Sequence, residues 1–276
     1  MSVAVSGMPA RRRPRIAPGR AALTAVCILV FAFLVFPIAI VFPISLTPTG
    51  IEFPPSTIDF GGYVTFFASN EWLEAVLLSA RVALFSTLLA LPLGTAAAFG
   101  LVRSRSPLKR YMHSLILAPL MIPHIIIALA LFFLYKDWGL FDSEIGIVLA
   151  HSVLIVPFIV IGVSASLKGF DVVLETAAMT MGANWWQALR YVTLPIVWPG
   201  ILAGSLLAFI TSFDEVVVAL FVTGRVNETQ PVKMFATAQQ EIDPMLSVVS
   251  TLLIVFSVVV GLGITAATAR RSAVSA

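Results

Sequence analysis

Charge and sulfur are scarce in this chain. Of its 276 residues only 11% are charged, and Cys27 is the single cysteine. One thiol excludes an internal disulfide framework and a cysteine-based zinc site. The histidines His113, His124 and His151 are scattered, with no Cys, Asp or Glu at ligand spacing, so no metal is expected. Neither H-E-x-x-H nor G-x-S-x-G occurs, which argues against an intramembrane hydrolase. The phosphate-cradling run G-x-x-x-x-G-K-S/T is also missing, so the chain is expected to bind no nucleotide of its own. It reads as a non-enzyme.

Apolar residues fill the space. The chain is 59% hydrophobic, and its mean hydropathy is +1.01, more than a soluble domain tolerates. A bilayer core of about 30 Å takes about 20 apolar residues per helical span. The pattern gives an all-α polytopic membrane protein with six spans: Ala21 to Leu46, Leu73 to Leu101, Met112 to Tyr135, Ile145 to Leu167, Ile201 to Val222 and Leu246 to Ala269. The first follows Arg11, Arg12, Arg13, Arg15 and Arg20, and is too long for the core of a cleaved signal peptide, so it reads as a retained anchor.

Basic residues set the orientation. With both termini in the cytoplasm, the N-tail arginines, the turn from Arg103 to Arg110, Lys168, Arg190, Arg270 and Arg271 all lie inside, while Lys136, Arg225 and Lys233 lie outside. Residues 1–20 then form a basic N-tail, 21–269 the six-helix domain with a long inner loop at 168–199, and 270–276 a C-tail. The pI near 9.3 follows from this scatter of cations; no basic face for nucleic acid forms. Prolines within spans, Pro37, Pro43, Pro92, Pro119, Pro123 and Pro157, read chiefly as kinks.

The inner loop is expected to fold. Leu174, Ala177, Ala178 and Met181 make one apolar stripe on a short helix begun by Asp171 and stopped by Gly182. A second helix starts at Asn184 with Gln187 in capping-box spacing, carries Trp185, Ala188, Leu189 and Val192, and ends at Leu194-Pro195. Helices this short need a surface to rest on. A membrane interface and a protein partner both qualify, and the shortage of cations in the loop favours the partner.

Glu175 to Pro195, E-T-A-A-M-T-M-G-A-N-W-W-Q-A-L-R-Y-V-T-L-P, resembles the EAA motif of the transmembrane permease subunits of ABC importers. The resemblance implies the MetI-like permease fold and a loop that docks into a cleft of a separate ATP-binding subunit. Ala177, Ala178, Gly182 and Ala183 would belong to the docking segment. The family glutamate falls at Thr176 here, so either Glu175, by a small rotation, or a hydrogen bond from Thr176 would make the charge contact. ATP and Mg would be bound by two partner subunits, leaving this chain without a cofactor.

Asp214 and Glu215 stand within the fifth apolar run, where each ion costs about 2.5–3.5 kcal/mol on insertion scales unless it faces a bundle interior or water. They read as an anionic patch on a solute path with Phe213 and His124 beside it, or as a structural pair with Arg81. The block Ser212 to Lys233 is similar to the permeases of spermidine/putrescine-type importers, particularly their C-type permease, although His124 stands where that group often has an acid. What this resemblance implies is half of a solute path for a polyamine or related cationic amine in a bacterial inner membrane. It also implies an extracytoplasmic binding protein and a second, non-identical permease as partners. Other solutes (an amino acid derivative, a metal ion or an oxyanion) and an ion-coupled secondary transporter stay open as alternatives.

Overall fold

A computed structural model describes residues 18–49, 52–240 and 243–274; Arg11, Arg12, Arg13 and Arg15 of the expected N-tail lie outside them. All regular structure among the described residues is helical. The order is α1 (Pro18–Ile44), α2 (Gly61–Ala68), α3 (Asn70–Arg103), α4 (Lys109–Met121), α5 (His124–Trp138) and α6 (Glu144–Lys168), then α7 (Val173–Thr180) and α8 (Trp185–Ala188). A π-turn, Leu189–Thr193, leads into α9 (Leu194–Phe213), followed by α10 (Val217–Val222), α11 (Gln230–Gln240) and α12 (Pro244–Val274).

Among the described residues four helical stretches are long and apolar enough to cross a bilayer: Ala22–Ile44, Asn70–Arg103, Glu144–Lys168 and Trp185–Phe213. The bent pair α4 and α5 makes a fifth if taken as one span, and Pro244–Val259 of α12 is a shorter apolar stretch. Ser69 caps α3 by accepting the Trp72 N–H, and Ser143 caps α6 by accepting the Gly146 N–H at 3.1 Å. Such caps satisfy amides that the helix itself leaves open.

The core is the trio α3, α6 and α9. Val82, Ala90, Ile155, Ile159, Val163, Val197 and Ala208 are fully buried in it. Glycines let α6 and α9 touch backbone to backbone: a Cβ on Gly162 would lie 2.8 Å from the Gly200 carbonyl oxygen and 2.9 Å from the Gly204 Cα. Close approach through small residues is how helices associate where lipid supplies no hydrophobic drive. Between α3 and α6, the Ser86 hydroxyl donates to the Val148 carbonyl at 3.0 Å. A second cluster of Phe66, Trp72, Met245, Val248 and Val249 ties α2 and the start of α3 to α12.

Three elements differ from the sequence expectation. The third span is not continuous: α4 and α5 meet at 95° around Ile122-Pro123. Ile122 is extended (φ −86°, ψ 130°), the conformation a following proline imposes. The fifth span starts earlier and stops sooner. Leu194-Pro195 does not end the second loop helix; the π-turn carries the chain straight through it into α9, and Pro195 sits in the first turn of α9, where no N–H is needed. Finally, the helix stops at Phe213 rather than Val222, and the chain restarts as α10 after a three-residue gap at 214–216.

Candidate functional site

The two helix breaks lie side by side. His124 opens α5 and Glu215 precedes α10, and α10 packs on α5. The His124 Nδ1 is 3.1 Å from the Glu215 Oε2, while Oε1 of the same carboxylate accepts the Val218 N–H at 2.7 Å. Glu215 is 7% exposed and both its oxygens are engaged. Non-helical backbone at membrane depth survives only where protein buries it or a cavity hydrates it, and these bonds supply that cover.

Asp214 turns the other way. The expected continuous helix, with the two acids about 100° apart, is replaced by a helix end at Asp214 (φ −94°, ψ 5°). Its carboxylate is exposed, has no hydrogen-bond or ionic partner among the described residues, and opens on a cavity of about 180 Å³ lined by Phe209, Phe213, Leu253, Phe256 and Ser257. The Phe209 and Phe213 rings stack at 6.2 Å, and Phe213 meets Phe256 at 6.2 Å. Neither acid pairs with Arg81, as the structural alternative required. Arg81 instead forms two 3.1 Å bonds to Glu144 at the start of α6, a partner in reach only because α3 and α6 pack together. Just before the break, the Ser212 hydroxyl meets the Nδ1 of the buried His151 at 2.9 Å, anchoring the end of α9 to α6.

At the opposite end of α6 the 168–199 loop folds into a helical hairpin. The Asp171 carboxylate accepts the Val173 N–H at 2.9 Å. Gly182 has φ +96°, a conformation side chains resist, and the bonds Gly182 N–H to Met179 O and Ala183 N–H to Ala178 O close α7 as a Schellman turn. The capping box forms: Asn184 accepts the Gln187 N–H at 2.9 Å, and the Gln187 side chain accepts the Asn184 N–H at 2.8 Å. The hairpin tip is apolar and bare, with Met181 89% and Trp186 71% exposed. Ala177 is exposed, and Ala178 and Ala183 are partly so.

Glu175 and Thr176 part company. Thr176 is exposed on α7, and among the described residues its hydroxyl bonds only its own helical segment, donating to Val172 O. Glu175 is buried and accepts hydrogen bonds from Arg103 at the end of α3 and from the Thr193 hydroxyl in the π-turn.

At the other end of the bundle, Asp142 joins the α5–α6 corner to the segment after α10. Its carboxylate accepts the N–H groups of Val226 at 3.3 Å and Asn227 at 3.0 Å, and its carbonyl accepts the Asn227 side chain at 2.6 Å. Burial works to raise this carboxyl, but the bonds from Gly224, Asn227 and Val226 outweigh it and hold the pKa below the usual value.

Residues 90–273 match the family model described as the binding-protein-dependent transport system inner membrane component. The chain belongs to this family. The spermidine/putrescine transport system permease protein PotC of Escherichia coli K12 is 31% identical over 232 residues, covering 83% of this chain and 87% of that protein. Two further relatives are each 31% identical over 199 residues: the trehalose permease SugB of Mycobacterium tuberculosis, over 71% of this chain and 73% of that protein, and the putrescine permease PotI of Escherichia coli K12, over 70% and 71%. Among solved structures, a bacterial ABC transporter that imports the acidic polysaccharide alginate superposes with a TM-score of 0.67 at 19% identity, over 92% of this chain and 98% of that one.

The chain is therefore a multi-pass inner-membrane component of a binding-protein-dependent transport system, with the permease fold. Of the residues singled out from sequence, the fold brings His124 and Glu215 together and sends Asp214 and Phe213 to a separate cavity. Arg103, Thr193, Ser212 and Asp142 gave no sequence signal, since each acts through a partner at least 18 positions away.

Proposed function

We propose that this chain forms half of the translocation path of an ATP-driven importer for a polyamine or related cationic amine. Six spans with both termini in the cytoplasm, a non-identical second permease, two ATP-binding subunits docked on the 168–199 hairpin and an extracytoplasmic binding protein complete the assembly. Its location would be the bacterial inner membrane, and ATP and Mg would reside in the partner subunits.

One observation carries the choice of solute: Asp214 presents a carboxylate with no counter-ion among the described residues, beside the rings of Phe209, Phe213 and Phe256. A polyamine alternates ammonium groups with methylenes, so an acid and aromatic faces bind both parts. The identity to PotC and PotI supports the same class. SugB keeps a second reading in view, because phenyl rings also stack on sugars. The hairpin supports docking: its bare apolar tip is capped at both helices, and Ala177, Ala178 and Gly182 match the EAA segment in place, although its glutamate position is Thr176.

The test is uptake by the complete complex in proteoliposomes, with labelled spermidine and labelled trehalose offered separately. ATP-dependent spermidine uptake that falls at least tenfold in Asp214→Asn supports the reading. Trehalose uptake alone, or full spermidine uptake by that variant, overturns the assignment of solute or site.

A further inference from the structure

Three segments converge on one carboxylate. Glu175 of α7 accepts hydrogen bonds from Arg103, the last residue of α3, and from Thr193, the last residue of the π-turn before α9. Thr193 is fully buried and Glu175 nearly so. The Arg103 guanidinium also lies over the Phe99 ring, 4.9 Å from its centroid, which holds it over the hairpin. Apart from this, α7 rests only on α8 and the π-turn, within its own hairpin, among the closely packed elements.

We propose that Glu175 is a positioning residue. Rather than touching the ATPase, it fixes the coupling hairpin to α3 and α9, so that the hairpin and these two helices move as one body. The inference rests on the docking role proposed for the hairpin. An eight-residue helix does not hold its place alone, and a hairpin free to swivel would absorb a push from the ATPase without passing it on. The Arg103–Glu175–Thr193 junction removes that freedom, because each partner belongs to a different segment, and breaking it would leave the buried Glu175 carboxylate unpaired, which is costly, whereas the Arg103 side chain stays 30% exposed. It also accounts for the shifted acid of the motif: Glu175 is spent inside the chain, which leaves Thr176 on the outer face of α7 to meet the partner.

The experiment uses the full complex in nanodiscs on a Cys27→Ser background, with spin labels at Gly100→Cys on α3 and Thr180→Cys on α7. Gly100 has open space around it and Thr180 is exposed, so both accept a label. The expected distance distribution is narrow and the same in the nucleotide-free and vanadate-trapped states. In Glu175→Ala it broadens roughly twofold, as a locally released segment does, while the ATPase still copurifies. Thr193→Val, which keeps the ion pair, broadens it less, and the exchange Arg103→Glu with Glu175→Arg narrows it again. A core pair, labelled at Leu84→Cys and Val153→Cys, stays unchanged in every variant, which separates loss of the junction from misfolding.

Two results overturn the clamp. One is a wild-type distance that shifts on trapping; the other is a Glu175→Ala complex that loses its ATPase while the distance stays narrow, which would make Glu175 a docking contact. If wild type itself retains no ATPase, the docking role fails first and the clamp falls with it.

Discussion

A single residue on a connection can hold two halves of a bundle together. Asp142 takes φ +54°, a conformation Asp tolerates better than most residues, and in doing so aims its carboxylate at the amides of Val226 and Asn227. Because its pKa is lowered on folding, its contribution to stability is complete above about pH 4 and is lost as the pH falls through the lowered folded value. Hydrogen exchange at the Val226 and Asn227 amides, taken relative to the intrinsic rate at each pH, should accelerate on acidification. Asp142→Asn should accelerate it at neutral pH, by an amount corresponding to about 1–3 kcal/mol for charge-assisted bonds weakened or lost. Exchange that ignores both would remove this role. The contrast between Asp214 and Glu215 also belongs at this scale. Both were visible in the sequence as costly acids, yet their neighbours were not: one is bonded to His124 and the other opens beside a phenylalanine cluster. The sequence marks that an ion in an apolar run must be answered, and only the packing of α10 on α5 says by what.

At the scale of the element, the 168–199 hairpin is the part most legible from sequence. The Gly182 stop and the Asn184–Gln187 capping box depend on residues within a few positions of one another, so their geometry follows from local chemistry. Gly182→Pro demands φ near −65° where the chain holds +96°. It should therefore distort the turn and uncouple ATP hydrolysis from uptake in the reconstituted complex; unchanged uptake per ATP would refute a coupling role. Asn184→Ala removes one capping bond and should weaken the start of α8 by about 1 kcal/mol, read as faster exchange at the Gln187 amide. The far end of this element was misread for a physical reason. A proline ends a helix when its missing N–H and its ring meet an interior turn, but the π-turn before Pro195 shifts the register and places the proline in a first turn. The same residue type at Pro123 did break its helix, by 95°, because Ile122 is held extended there.

At the scale of the whole molecule, the glycines of α6 and α9 set how closely the central helices approach. Gly162→Leu would drive a side chain into the Gly200 carbonyl and the Gly204 Cα and should destabilise the bundle by about 1–3 kcal/mol or more. The check is a lowered melting midpoint of the detergent-solubilised complex, against Gly100→Leu as a control in open space. α1 shows the opposite limit: none of its apolar window is buried within the chain, so its surroundings must be lipid or another subunit. Composition and periodicity by themselves determined that the chain is helical and built for a bilayer, roughly where its first, second and fourth apolar stretches lie, and how the hairpin is capped, because these depend on neighbours along the chain. Tertiary structure alone decided which helices are broken, that His124 meets Glu215, that Arg81 belongs to Glu144, and that Glu175 is held by Arg103 and Thr193. Those pairings join residues from 18 to 91 positions apart, and no local pattern encodes which of several distant partners packing will bring within reach.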